Sequence, residues 1–152
     1  MKSYIALATA ALATLSSAVQ VRYHAEYNDP STSLLTTACS DGANGLVTKY
    51  GWTTLGQIPG FPHVGNVGAV AGWNSPSCGS CHRVTYNGVS VNMVSMDVQY
   101  DMALDTMNEL TGGQATTLGT IDVQVEEIAQ SECGIGAPLA KERRDAAKAF
   151  AA

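Results

Sequence analysis

The stretch Ala71-Gly-Trp-Asn-Ser-Pro-Ser-Cys-Gly-Ser-Cys81 contains two of the four cysteines and one of the two tryptophans of the chain. Its two glycines permit backbone conformations that other residues avoid, and Pro76 fixes its own φ angle. Asn74 and Ser75 favour a turn, because their side chains form hydrogen bonds with nearby backbone groups. The pattern predicts a rigid bend held by sulfur, with strands, turns and short helices arranged around it.

Residues 1–18 have the pattern of a secretory signal peptide. Lys2 supplies a positive charge, an apolar run between Tyr4 and Leu15 follows, and Ser16-Ser17-Ala18 provides the small residues of a cleavage site. The apolar run is shorter than the roughly 20 residues that a membrane-spanning helix needs. We therefore expect a soluble protein that is secreted to the extracellular space or the cell wall, without membrane insertion.

An even number of cysteines in a secreted chain indicates disulfide bonds. The four are Cys39, Cys78, Cys81 and Cys133, which allow three pairings. A Cys78–Cys81 bond would close a tight ring of the kind that redox sites use, but the βαβ pattern of a thioredoxin-like protein is absent from the sequence. A zinc site would need a second closely spaced pair of ligands, which the three histidines do not provide. The sequence predicts two structural disulfides, no metal site and no cofactor.

The charge of the predicted mature part narrows the choice of partner. Residues 19–140 contain three basic residues against eleven acidic ones. Such a domain has no basic surface for nucleic acid or for anionic membranes. Few charges together with many Gly, Ser, Thr and Asn residues suit a small extracellular domain with a neutral partner such as polysaccharide.

Hydrophobic periodicity predicts a small, strand-dominated barrel with five or six strands and one central helix. A hairpin around Asn87-Gly88 is the strongest local signal. The predicted strands are Val21–Tyr27, Leu46–Thr54, Val67–Trp73, Cys81–Tyr86, Val89–Asp97 and Ile121–Glu126, and the predicted helix runs from Met102 to Leu110 with Asp101 as its cap. Thr111-Gly112-Gly113 should end this helix.

The sequence also predicts whether individual aromatic side chains lie in the core or at the surface of this barrel. Trp73 follows an apolar run and precedes the bend, which favours the core, and the alternative is a platform for a sugar ring. Tyr23 and Tyr27 share the apolar face of the first predicted strand, which also favours the core. His82, which lies beside Cys81, is expected at the surface.

Three motifs in this order resemble those of the cerato-platanins, small cysteine-containing proteins secreted by fungi. The matching stretches are Cys39-Ser-Asp-Gly-Ala-Asn-Gly-Leu46, Ala71-Gly-Trp-Asn-Ser75 with Cys78-Gly-Ser-Cys81, and Leu110-Thr-Gly-Gly-Gln-Ala115. The resemblance covers roughly Val21 to Ile135. The charged, Ala-rich tail at residues 136–152 lies outside it, and we expect this tail to be flexible.

The resemblance implies a mainly β domain with short helices at residues 19–135, built as a six-stranded double-psi β-barrel like the first domain of expansins. It implies cysteine pairing in chain order, Cys39–Cys78 and Cys81–Cys133. It also implies a non-enzymatic protein that binds chitin oligomers, loosens cell walls as expansins do, and acts as an elicitor or virulence effector recognised by plants.

Glycoside hydrolysis ordinarily needs two carboxylates about 5 to 9.5 Å apart. Asp97 matches the aspartate that expansin-like barrels place in their groove, and Asp41 lies in a glycine-bearing loop that could reach the same face. The segment Val98–Leu104 lacks the polar groups that family members have there, which weakens a hydrolytic interpretation. The structural alternative for Asp97 is an acid that accepts hydrogen bonds from backbone donors at a strand end.

Polar residues from loops are the candidates for carbohydrate binding: Asp97, Asp41, Asn44, Asn74 and Ser75. The expected ligands are N-acetylglucosamine oligomers or cell-wall polysaccharide, with a host plant receptor and self-association as further partners. Two alternative functions remain open at this point. One is a weak glycoside hydrolase that uses Asp97 and Asp41, and the other is a surface-active, self-assembling structural protein.

Overall fold

Six β-strands close into a barrel in the computed structural model, which describes residues 16–151. The strands are β1 (Ser17–His24), β2 (Val64–Gly65), β3 (Cys81–Tyr86), β4 (Val89–Ser95), β5 (Asp101–Ala103) and β6 (Thr120–Ile128). Their order around the barrel is β1-β5-β2-β4-β3-β6, and β6 pairs back with β1. The pairs β1–β5 and β2–β4 are parallel, while the other four are antiparallel. The predicted fold class, a six-stranded barrel with few helices and two disulfides, is confirmed.

Short helices connect and cover the strands. They are α1 (Leu46–Tyr50), α2 (Leu104–Thr111), α3 (Ala115–Leu118) and α4 (Leu139–Phe150), with 3₁₀ turns at Ala25–Asn28, Leu34–Thr36, Leu55–Gln57 and Gln130–Cys133. The largely exposed α4 occupies most of the tail that was predicted to be flexible. None of the helices within residues 16–151 has the length and apolar character needed to cross a membrane.

The predicted signal peptide falls mostly on residues 1–15, which lie outside the described residues. Its last two residues, Ser17 and Ala18, are part of β1 and pair with Val125 and Gln124 of β6. The assignment of residues 1–18 as a signal peptide stays a prediction.

Local sequence signals were most accurate for the β3–β4 hairpin and for β6. Asn87 and Gly88 both have positive φ, 45° and 83°, as the two-residue turn between β3 and β4 requires. In β6, Ile121, Val123 and Val125 are buried and alternate with exposed polar residues, as predicted. Gly112 ends α2 in the left-handed conformation, which confirms the predicted helix stop.

Two predicted strands are wrong. Leu46–Thr54 contains α1, a helix that ends at Gly51 with φ 73°. Val67–Trp73 forms no strand, because the buried side chain of Asn66 binds both the backbone N–H and the carbonyl of Val70, at 3.1 and 3.3 Å. The two hydrogen bonds between Asn66 and Val70 fold the chain into a local loop, and only Val67 and Val70 of the segment are buried. The first strand also ends earlier than expected, at His24, and Tyr27 lies in a 3₁₀ turn.

Asp101 does not cap the central helix, contrary to the prediction. It lies in β5 with 4% of its surface exposed, and its carboxylate accepts a hydrogen bond from Arg22 Nε at 3.3 Å. Helix α2 starts at Leu104, and the side-chain oxygen of Asn28 accepts the backbone N–H of Asp105 at 2.9 Å. A residue 77 positions away in the chain therefore supplies a cap that no local pattern could reveal.

The buried side chains form two clusters on opposite faces of the barrel strands. Alternation along each strand sends Met93 and Met102 to one cluster and their neighbours Val94 and Ala103 to the other. The first cluster also contains residues of α2 and α3. The second contains all four cysteines, which form the disulfides Cys39–Cys78 and Cys81–Cys133. The cysteine pairing implied by the family resemblance is confirmed.

His82 was expected at the surface but is buried, with 5% of its surface exposed. It has the same orientation on β3 as the buried Val84, and its Nδ1 lies 3.2 Å from Ser95 Oγ. Burial lowers the pKa of His82 from its usual 6.5, and the nearby Glu127 carboxylate acts in the opposite direction but does not cancel the effect. The folded protein therefore favours the neutral imidazole.

Removal of either disulfide should destabilise the fold to a similar extent. The bonds close loops with sequence separations of 39 and 52, so each should contribute about 4 kcal/mol to the free energy of unfolding in the chain-entropy model. We expect this loss in a Cys39→Ala/Cys78→Ala protein and in a Cys81→Ala/Cys133→Ala protein, measured by guanidinium denaturation. A loss below about 1 kcal/mol in either protein would contradict the assigned role of that disulfide.

The neutral His82 makes a pH-dependent contribution to stability. Since the unfolded chain binds a proton near pH 6.5 and the folded chain does not, the free energy of unfolding should fall as the pH drops from about 7 towards 5. In a His82→Gln protein, part of this decrease should disappear, whereas a matched His63→Gln protein should keep it. Identical pH dependence in the wild type and in His82→Gln would show that the burial of His82 has no such effect.

Candidate functional site

The candidate residues come from three neighbouring segments. Asp41 and Asn44 lie in the loop between Cys39 and α1, Asn74 and Ser75 lie in the bend before Cys78, and Asp97 follows β4. The Cys39–Cys78 disulfide joins the first two segments, with a Cα–Cα distance of 5.4 Å. The fold therefore brings together residues that are far apart in the sequence.

Asn74 connects the two loops directly. It has φ 61°, a left-handed conformation that asparagine tolerates better than most residues. Its side-chain oxygen accepts the backbone N–H of Asn44 at 2.8 Å, and the Asn44 side chain donates to the Asn74 carbonyl at 3.0 Å. Gly42 passes so close that an added Cβ would lie 2.5 Å from the Asn74 side-chain oxygen. The loops fit together without space for a larger residue.

Ala38 links this pair of loops to Asp97. Its backbone N–H donates to Asp97 Oδ1 at 3.1 Å, and its carbonyl accepts the backbone N–H of Asn74 at 3.2 Å. The next residue, Cys39, donates its N–H to the carbonyl of Met96 at 3.2 Å. Asp97 and Asn74 therefore lie on the two sides of one backbone segment. We call Asp41, Asn44, Trp73, Asn74 and Asp97 the loop surface.

Asp97 has hydrogen-bond donors at both carboxylate oxygens. Oδ1 accepts the N–H groups of Ala38 and Val98, the latter at 2.8 Å, and Oδ2 accepts the hydroxyl of Tyr27 at 2.9 Å. Burial, followed by the neighbouring Asp97 carboxylate, raises the pKa of Tyr27, so the phenol stays protonated and remains a donor. Asp97 thus performs the structural task that the sequence offered as an alternative, and its role in carbohydrate binding stays a prediction.

Tyr27 and Ala38, as the partners of Asp97, were missed by the sequence analysis. Tyr27 was predicted to lie in the core, and with 5% of its surface exposed it does. A buried tyrosine usually directs its hydroxyl to a polar partner, so a search for that partner was the one available signal. The sequence distance of 70 residues between Tyr27 and Asp97 hides which partner it is.

Trp73 is at the surface, and its predicted place in the core is wrong. Its side chain is 63% exposed, and the preceding segment forms no buried strand that would carry it into the core. The indole Nε1 donates to Asp41 Oδ1 at 3.3 Å, and the Ser40 hydroxyl donates to the same oxygen at 3.3 Å. A large aromatic ring therefore lies exposed beside the carboxylate and amides of the loop surface.

Ser75 differs from the other four candidates. It is 9% exposed, and its hydroxyl accepts the backbone N–H of Ser77 at 3.2 Å. Its own N–H donates to the Gly72 carbonyl, and its carbonyl accepts the N–H of Cys78. These contacts stabilise the bend that carries Trp73 and Asn74.

The loop surface is separate from the cavities that the structure contains elsewhere. One cavity of about 340 Å³ is lined by residues that include Val19, Val67, His82 and Glu127, and none of the five candidate residues lines it. Within the described part of the chain, no group of three or more His, Cys, Asp or Glu side chains is placed to hold a metal ion. The candidate site is a partly exposed face with polar groups and one exposed aromatic ring.

Comparison with known proteins identifies relatives of this chain. Residues 19–135 match the model of the cerato-platanin family. The heat-stable 19 kDa antigen of Coccidioides immitis (strain RS) is 44% identical over 124 residues, covering 80% of this chain and 84% of the antigen. The crystal structure of cerato-platanin 2 from M. perniciosa is 43% identical with a TM-score of 0.73, covering 78% of this chain and all of that one. The solution structure of the fungal elicitor cerato-platanin is 35% identical with a TM-score of 0.68, covering 76% and 96%.

The structural role of Asp97 can be measured by its removal. An Asp97→Ala protein leaves the donors of Ala38, Val98 and Tyr27 without their acceptor, so we expect the free energy of unfolding to fall by about 2 to 4 kcal/mol. The matched control is Asp122→Ala at an exposed position of β6, which should change stability by less than about 0.5 kcal/mol. In combination with Tyr27→Phe, the two losses should not add, because both remove the same hydrogen bond. Equal effects of the Asp97 and Asp122 substitutions would contradict the structural role.

Proposed function

The chain belongs to the cerato-platanin family, and from that premise we propose that it is a secreted, non-catalytic protein that binds cell-wall carbohydrate. The observation that carries the proposal is the loop surface, where the exposed Trp73 donates to Asp41 and precedes Asn74, which is hydrogen-bonded to Asn44. We further propose that it loosens wall polysaccharide without cutting it and acts as an elicitor of plant defence. The similarity to a protein described as a fungal elicitor supports the last point.

Neutral polysaccharide is the ligand class that suits the charge of the chain. The formal net charge is −5 at pH 7, which disfavours phosphate-rich and other anionic partners. Carboxylates and amides recognise sugar hydroxyls through hydrogen bonds that need no positive charge on the protein. Because Asp41 and Trp73 are exposed, a long chain could lie across the loop surface, and affinity should be modest if little ligand surface is enclosed.

The contacts of the two carboxylates support binding without hydrolysis. A glycosidase needs one carboxyl group that donates a proton and a second that acts as base or nucleophile. The oxygens of Asp97 accept hydrogen bonds from Tyr27, Ala38 and Val98. Asp41 Oδ1 accepts hydrogen bonds from Trp73 and Ser40. Both carboxylates therefore already accept hydrogen bonds from the protein itself. Protonation of either carboxylate during hydrolysis would have to break contacts that organise the loops.

We expect the protein to bind N-acetylglucosamine oligomers without shortening them. Titration of the isotopically labelled chain with a hexamer should shift the backbone amide resonances of the loop surface, with a Kd on the order of 0.1 to 1 mM. Chromatography of the same hexamer after long incubation should recover it intact. Absence of any shift with chitin and cellulose oligomers would overturn the binding proposal, and shortened oligomers that disappear in an Asp97→Ala protein would favour the hydrolase.

A further inference from the structure

The two tryptophans of the chain are in opposite situations. Trp52 is partly buried and stacks on Tyr50, with ring centroids 4.4 Å apart and planes at 16°. Trp73 is 63% exposed, and no stacked partner for it is recorded among residues 16–151. Full burial of a large aromatic side chain would stabilise the fold, so this exposure forgoes a stabilising contribution.

Hydrogen bonds restrict the orientation of the exposed Trp73 ring. Its Nε1 donates to Asp41 Oδ1 at 3.3 Å, which links the ring edge to the loop before α1. The following residue, Asn74, is held by the backbone N–H of Asn44 and by the carbonyl of Ala38. The ring is therefore oriented before any ligand arrives. A pre-organised aromatic group loses little conformational entropy on binding, which favours recognition.

We propose that Trp73 is a stacking platform for one pyranose ring of a neutral, β-linked oligosaccharide, and that Asp41 accepts hydroxyl groups at the edge of that ring. The proposal rests on the carbohydrate binding proposed above and names the residues that dominate it. A pyranose with equatorial substituents presents a flat face of C–H groups that packs on an aromatic ring, while its hydroxyls project from the rim. An indole with a carboxylate at its edge matches both features of such a sugar.

Asp41 adds a preference between neutral and acidic sugars. Its side chain is exposed, and its Oδ2 has no recorded hydrogen bond within the described residues. That oxygen can accept a sugar hydroxyl, but it repels the carboxylate of a uronic acid at the same position. The platform should therefore favour oligomers of N-acetylglucosamine or glucose over oligomers of galacturonic acid with equal length.

The test uses the purified protein and three hexamers, of N-acetylglucosamine, glucose and galacturonic acid. Each is titrated against the wild type, Trp73→Ala, Trp73→Phe and Asp41→Asn, and binding is followed by NMR. Trp73→Ala should weaken the affinity for the neutral hexamers about tenfold or more. Trp73→Phe should retain most of the wild-type affinity, because it keeps an aromatic ring. Trp52→Phe is the matched control and should bind as the wild type does. Asp41→Asn should narrow the difference between neutral and acidic hexamers.

Thermal unfolding of each variant separates loss of binding from loss of fold, and the exposed Trp73 should be replaceable with little change in Tm. If the wild type binds a neutral hexamer and the folded Trp73→Ala protein binds it equally well, the proposed stacking on Trp73 is wrong. The proposed carbohydrate binding would not be contradicted by that result. If the wild type binds no hexamer, both are wrong. If Trp73→Ala leaves sugar binding unchanged and abolishes concentration-dependent self-association in sedimentation, the occupant of the platform is a second copy of this chain.

Discussion

The connection between Cys39 and Cys78 is the constraint on which the loop surface depends. This disulfide fixes the start of the loop that carries Asp41 and Asn44 against the end of the bend that carries Trp73 and Asn74. The hydrogen bonds on either side of Ala38 then set the position of Asp97 relative to that bend. The barrel supplies the rigid base, because Cys39 and Cys78 belong to the same buried cluster as Val94 of β4 and Ala103 of β5. Sulfur, backbone and side-chain contacts thus act together to order long irregular segments that would otherwise have little secondary structure to hold them.

The loop surface also contains features that oppose stability. Asn74 adopts a left-handed conformation, and Trp73 exposes most of a large apolar ring. The left-handed conformation costs on the order of 1 kcal/mol, and the bonds that Asn74 makes to Asn44 and Ala38 offset this cost. Exposure of the indole is not offset in the same way, since its single hydrogen bond to Asp41 is long at 3.3 Å. Unfavourable features of this kind concentrate at sites that interact with a ligand, which is why the platform is attributed to Trp73 rather than to the packed Trp52.

The parts of the fold that depend on neighbouring residues could be predicted from the sequence, whereas those that depend on distant contacts could not. The Asn87-Gly88 turn, the alternation in β6 and the end of α2 at Gly112 each follow from local backbone preferences. The course of Val67–Trp73 was mispredicted because the side chain of Asn66, buried in the fold, competes with the backbone pairing that a strand needs. The locations of His82 and Asp101 were mispredicted because each side chain pairs with a residue elsewhere in the chain. His82 lies against the Ser95 hydroxyl, and Asp101 accepts a hydrogen bond from Arg22. For the candidate site, the sequence identified the polar loop residues and Asp97 as candidates, and their role in binding stays a prediction. The contacts of Asp97 with Tyr27 and Ala38 span 70 and 59 residues, so no local pattern could reveal them.

Amide hydrogen exchange of the free protein tests most directly whether the loop surface is ordered before it meets a ligand. In the structure, the N–H of Ala38 donates to the Asp97 carboxylate and the N–H of Asn44 donates to the Asn74 side chain. The N–H of Asn74 donates to the Ala38 carbonyl. If these contacts order the surface, the three amides should exchange slowly, within about tenfold of the amides of β4 and β6. Exchange of all three at the rate of a frayed terminus, with the barrel amides still protected, would show that the loops are ordered only by a ligand and would contradict a pre-organised surface.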